Sequence, residues 1–137
     1  MSFLLRFFRW NDFVFPSNLQ LRLPVKLLLE PVVSNKNRER IELGLHEALV
    51  NAVVHGNTCD PDKHLRVRRI ITPNWLVWQI QDQGKGIELS QRVSSLPSNE
   101  DAESGRGLFL IHQCFDDVRW SRRGNRVQIA SLRRNAQ

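Results

Sequence analysis

Glu47 and Asn51 stand four residues apart in a run, Asn37 to Val54, whose apolar residues Ile41, Leu45, Ala48, Leu49 and Ala52 recur at helical spacing. Positions four apart on a helix lie within ~40° of each other, so this carboxylate and this amide oxygen would face the same ligand. Leu43, Val50 and Val54 flank the stripe on its other side. A helix apolar on both flanks is mostly buried, and a carboxylate there needs compensation. A bound cation is one form of compensation; solvation on an ordinary amphipathic helix is the plainer alternative.

Asp82-Gln83-Gly84-Lys85-Gly86 follows a strand-like run, Trp75 to Gln81, in which Leu76, Trp78 and Ile80 share one face. Asp82 therefore emerges with the same inward parity. Glycines at alternate positions let a backbone bend sharply or approach a flat ligand closely, with Asp82 as a fixed acceptor, although a hairpin-type turn would use the same residues. Ser104-Gly105-Arg106-Gly107 opens another helical pattern. Free N–H groups and the positive end of the dipole make a helix start a phosphate site, to which Arg106 adds a charge-assisted contact; a simple Gly-rich helix start is the alternative. The four histidines, His46, His55, His64 and His112, have neither HExxH nor Cys/His ligand spacing. Their spacing disfavours zinc, the lack of a GxSxG elbow leaves serine-nucleophile and Cys/His arrangements unsupported, and the lack of a Walker A sequence excludes a P-loop ATPase.

The elements that must hold these residues follow from periodicity and punctuation. Trp10 to Phe15 reads as an edge strand stopped by Pro16-Ser17, and a short helix is expected over about Val25 to Val33 after Pro24. The long helix runs from Asn37 to Val54, with Gly56 as its left-handed cap. Leu65 to Thr72 and Trp75 to Gln81 form a hairpin through Pro73-Asn74. A mobile loop is expected from Gly84 to Ser104, then a helix from Gly105 to about Cys114 or Phe115, then strands at Val118 to Ser121 and Arg126 to Leu132. That order predicts an α+β two-layer sandwich, its mainly antiparallel mixed sheet carrying helices on one face.

A chain of 137 residues fits one domain, residues 1–137 with a core of about 13–132, and 41% hydrophobic with 25% charged residues is ordinary globular usage. The net charge of +6 raises the possibility of a polyanionic partner, and many of the arginines cluster near the C-terminal end: Arg119, Arg122, Arg123, Arg126, Arg133 and Arg134. Solvated arginines on strand faces are the simpler account. Cys59 and Cys114 are expected as reduced, buried or half-buried thiols in a cytoplasmic protein. Arg6 and Arg9 interrupt the apolar opening, Met1 to Phe8, and no small-residue cleavage site follows, so it reads as a packing or dimer-edge segment, with weak membrane contact the alternative.

The three motifs occur in a fixed order: Glu47/Asn51 on a helix, Asp82-x-Gly84-x-Gly86 after a strand, Gly105-x-Gly107 at a helix start. In this the sequence resembles the GHKL ATPase superfamily (Bergerat fold, histidine kinase-like), whose nucleotide site is built from an Asn box and two glycine boxes. Glu47-Ala-Leu-Val-Asn51-Ala-Val-Val-His55-Gly56-Asn57, Gly105-Arg106-Gly107-Leu108 and Phe115-Asp116-Asp117-Val118 are similar to the anti-sigma-factor serine/threonine-protein kinases within it. The resemblance, which runs from about Phe13 to Leu132, implies an ATP/ADP site. Asp82 would accept the adenine amine directly and through water, Gly84, Gly86 and Ile87 would lie against the base, and Asn51 would ligate Mg²⁺. Ser104, Gly105, Arg106, Gly107 and Leu108 would hold the phosphates beneath a lid formed by the stretch from Ile87 to Ser104. Glu47 would orient or deprotonate the attacking hydroxyl, which in the family belongs to a serine of a small antagonist of STAS type, an anti-anti-sigma protein. A sigma factor and a second copy of the chain are the other partners implied; no membrane and no nucleic acid are.

The sequence departs from the family where relatives often place a Thr near the adenine, and Ser131 is the candidate substitute. The lid is short, Lys85 has no assigned role, and no phosphoacceptor-histidine helix precedes the domain, which disfavours a histidine kinase. Two other functions stay open: a nucleotide-binding regulator that sequesters its partner without transferring phosphate, and a basic nucleic-acid-binding domain.

Overall fold

The computed structural model describes residues 8–87 and 102–133. They form β1 (Arg9–Pro16), α1 (Arg22–Leu28), α2 (Asn35–Asn51), β2 (His64–Ile71), β3 (Trp75–Gln81), α3 (Ala102–Cys114), β4 (Asp117–Trp120) and β5 (Arg126–Leu132). Most of the expected opening segment, 1–7, and most of the expected loop, 88–101, lie outside the described residues. The strands make one sheet in the order β1-β2-β3-β5-β4. Every neighbouring pair is antiparallel, so the described strands contain no parallel pair of the kind a mixed sheet would have.

Alternation separates the two faces of the sheet along β2, β3 and the first half of β5, whereas Ile129, Ala130 and Ser131 are buried in succession. Leu65 and Val67 of β2, Leu76, Trp78 and Ile80 of β3, and Val127 and Ile129 of β5 are buried, as are Leu28, Ile41, Leu45, Leu49 and Ile111 from the helices. Each such side chain contributes about 1.5–3 kcal/mol by leaving water. Trp78 is the largest fully buried side chain among the described residues, and its indole Nε1 donates to the Leu28 carbonyl at 3.0 Å, joining sheet to helix layer. Arg66, Arg68 and Arg126 alternate onto the outer, solvated face. Within the clustered arginines, Arg119 is exposed and bonds Asp117 at 2.8 Å, whereas Arg133 makes a part-buried bond to the Thr72 carbonyl at 2.7 Å.

Three boundaries differ from expectation. Helix α1 begins at Arg22 and ends at Leu28, not Val25 to Val33. Pro24 is tolerated inside the first turn, where its missing N–H is not needed, and Pro31 biases Glu30 against helix. Helix α3 starts at Ala102, earlier than Gly105. Finally, α2 passes at Asn51 into a π turn, Ala52–Gly56, in which the Asn57 N–H reaches back to the Ala52 carbonyl at 2.8 Å. Gly56 is therefore not a left-handed cap; the left-handed residues are Thr58 (φ 52°) and Cys59 (φ 57°). Both thiols are free, Cys114 buried as expected and Cys59 exposed because it sits in that turn.

Candidate functional site

Asp82 leaves the end of β3 on the inner face and is buried at 8% exposure. Its N–H donates to the Asn125 carbonyl at 2.9 Å, continuing the β3–β5 ladder by one residue. Its carboxylate Oδ1 accepts the Gly84 N–H at 2.7 Å, which commits one oxygen. Burial pushes the carboxyl above the usual carboxylate range, ahead of the opposing pull of that N–H and of the Lys63 and Arg123 charges.

The segment after Asp82 is pinned on both sides. A Cβ on Gly56 would fall 2.3 Å from the Asp82 carboxyl carbon, and one on Gly84 would fall 2.0 Å from the Gly56 carbonyl oxygen. Two backbones touch here, and only glycines permit it. Gly86 has φ +99° and faces the Arg123 carbonyl, while the Ile87 N–H donates to the Gly124 carbonyl at 3.0 Å. Asp82 to Ile87 is thus held between the π turn that follows α2 and the turn joining β4 to β5.

At the other end of the candidate site, Glu47 and Asn51 occupy successive turns of α2, both part-buried. His46 Nδ1 stands 3.9 Å from Glu47 Oε1. A Cβ on Gly107 would meet Glu47 Oε2 at 3.4 Å, so α3 brings its glycine against the α2 carboxylate. Leu43, expected to wall in this stripe, is 44% exposed. It lines a groove of about 1280 Å³ with Leu19, Leu23 and Leu27, which no predicted site residue enters.

The remaining expected residues divide. Because α3 begins at Ala102, Gly105 and Gly107 lie within the helix instead of opening it, and Leu108 turns its side chain into the core. Ser104 and Arg106 belong to the same helix, their side chains lying outside the described residues. Lys85 is exposed. Ser131 cannot assist Asp82. It pairs with Leu76 while Gln81 pairs with Arg126, which puts it five residues, about 17 Å, along β5 from the Asp82 end. Its hydroxyl accepts from Arg40 Nη2 at 3.3 Å instead. The residue beside Asp82 is Asn125. The inward parity of Ser131 is legible in the sequence; the register that moves it away is not.

The geometry offers a buried acid with one oxygen committed, a tightly packed glycine backbone that holds it, and a part-buried carboxylate and amide on α2, the helix whose π turn packs against that acid. A side-chain amide oxygen suits a hard cation whose other ligands are phosphate oxygens and water. Among the described residues no cluster of three or more His, Cys, Asp or Glu could hold a metal alone. No helix among them is long and apolar enough to cross a membrane.

Residues 25–131 match the family described as histidine kinase-like ATPase domain. The chain is 31% identical over 88 residues to the serine-protein kinase RsbW of Listeria monocytogenes (strain HCC23), an alignment covering 59% of this chain and 56% of that protein. The Listeria innocua protein of the same name matches with the same identity and coverage. The chain thus spans little more than half the length of these relatives.

Proposed function

As the chain belongs to the histidine kinase-like ATPase domain family, we propose that it binds ATP and transfers the γ-phosphoryl group to a serine of a small partner protein of the anti-anti-sigma class. The observation that carries the reading is Asp82: a buried carboxylate at the end of β3 whose Oδ1 is bonded to Gly84 and whose Oδ2 has no hydrogen bond among the described residues, held in place by the close packing of Gly56 and Gly84. Such an acceptor suits the exocyclic amine of adenine. Asn51 would hold Mg²⁺, which supplies charge neutralisation along the phosphates. Gly105, Arg106 and Gly107 would face the phosphates from α3.

Glu47 would take the proton of the attacking serine hydroxyl as its oxygen bonds to phosphorus and the bond to the ADP oxygen breaks. It would be oriented by α2 and approached by Gly107. A second copy of the chain and a sigma factor are the remaining partners of this reading; the exposed Trp10 and Val14 on the edge strand β1 are a candidate surface for the copy. A cytoplasmic location fits these partners.

Calorimetry with ATP and Mg²⁺, followed by incubation of the protein and labelled ATP with a cell lysate, tests the proposal. The expected result is saturable ATP uptake and one small soluble phosphoprotein labelled on serine. ATP uptake without transfer would favour the sequestering regulator, and no uptake at millimolar nucleotide would overturn the reading.

A further inference from the structure

Asn57 is fully buried, with none of its surface exposed. A buried amide is costly unless bonded, and this one is nearly saturated. Its Nδ2 donates to Ser17 Oγ at 3.0 Å and to the His64 carbonyl at 3.1 Å, and its Oδ1 accepts the Gln83 N–H at 2.7 Å. Gln83 answers by accepting the His64 N–H on Oε1 at 2.8 Å. One side chain at the end of the π turn therefore fastens the end of β1, the start of β2 and the loop after β3.

Three successive N–H groups at the base end are each fixed by a different acceptor: Asp82 by Asn125, Gln83 by Asn57 and Gly84 by the Asp82 carboxylate. The first two bonds come from outside the loop, one from the sheet and one from the helix side. The Asn57 bond alone among the three ties the loop to the chain segment that carries Glu47 and Asn51. We infer that Asn57 is a positioning residue for base selection: through Gln83 it fixes the Asp82 carboxylate relative to α2, so that adenine is favoured over guanine. The inference rests on the reading of Asp82 as the acceptor of the adenine amine.

The test compares wild type, Asn57→Ala and the remote, destabilising Trp78→Phe by titration with Mg-ATP and Mg-GTP and by amide hydrogen exchange without nucleotide. In Asn57→Ala the preference for ATP over GTP should fall about tenfold, the size of one lost buried hydrogen bond, while the Gln83 amide loses its protection. Trp78→Phe should lose stability and keep the preference. An undiminished preference in folded Asn57→Ala would overturn the inference alone, whereas equal ATP and GTP affinities in wild type would overturn the reading of Asp82 and this inference with it. If Asn57→Ala does not fold, wild type decides: a Gln83 amide exchanging as fast as a free loop amide would refute the fixed peptide, and a protected one would support it.

Discussion

If Asp82 reads the adenine base as proposed, Asp82→Asn separates base reading from stability. In the folded chain one carboxylate oxygen accepts the Gly84 N–H, and the oxygen of an asparagine amide can take over that bond without moving the backbone. The side-chain NH₂ then replaces the remaining oxygen, so an acceptor becomes a donor facing the donor amine of adenine. Loss of a hydrogen bond to a charged group is worth about 1.5–3 kcal/mol, or roughly 12- to 150-fold in the Kd for ATP. Guanine carries a carbonyl where adenine carries its amine, so GTP should gain from the same exchange. Stability should move the other way. Burial raises the folded pKa of Asp82, so the folded chain binds that proton more tightly than the unfolded chain. The contribution of such a carboxyl is greatest below its unfolded value and falls as pH rises through the folded one, where the native state must release the proton. Asparagine does not ionise; the variant should melt no lower than wild type at neutral pH, with its relative advantage shrinking on acidification. Calorimetry with both nucleotides and melting curves against pH read the two effects. A folded variant with wild-type affinity for ATP would refute the assignment of Asp82.

Gly56→Ala puts a methyl 2.3 Å from the Asp82 carboxyl carbon and should cost about 1–3 kcal/mol by overpacking, seen as a lower denaturation midpoint together with weaker ATP binding. Glu47→Ala should retain Mg-ATP binding in calorimetry and lose phosphoryl transfer by ~10²- to 10⁴-fold in a labelled-ATP assay; joint loss of both would mean that the carboxylate is structural. Trp78→Phe removes the donor to the Leu28 carbonyl and part of the core's largest buried side chain, for a loss of about 1–3 kcal/mol in urea unfolding.

The elements legible in the sequence were those with local causes. Pro73-Asn74 marks the β2–β3 hairpin, whose turn is closed by the Thr72 N–H on the Trp75 carbonyl at 2.9 Å, and the helical repeat of Ile41, Leu45 and Ala48 marks α2. Strand parity alone placed Asp82 inside. What could not be read depends on distant partners. Nothing in Ala52-Val53-Val54-His55-Gly56 announces a π turn, because the shift from one carbonyl to the next leaves composition unchanged. Asn57, a polar residue in a turn-rich stretch, reads as solvent-facing; only the convergence of Ser17, His64 and Gln83 makes its burial affordable. Gly56 was identifiable as important and misassigned in cause: a glycine after a helix suggests a cap, whereas here it leaves room for a carboxylate from another strand.

The π turn connects these observations. A helix that ended at Asn51 in ordinary geometry would send its chain onward with a different azimuth, since a bond to the fifth preceding residue widens the last turn. In this chain the widened turn delivers Gly56 against Asp82 and Gly84, and Asn57 against Gln83, immediately after the residues that face the other end of the site. The separation of the Asn51 amide from the Asp82 carboxylate is then set by six consecutive residues, Asn51 to Gly56 and their backbone, together with one side-chain bond. On the proposed reading, base selection is preorganised by packed backbone, while transfer depends on how α3 meets Glu47 near Gly107. Substitutions at Gly56 or Asn57 should therefore alter which nucleotide binds before they alter how fast bound nucleotide reacts, and substitutions along the Glu47–Gly107 contact should do the reverse.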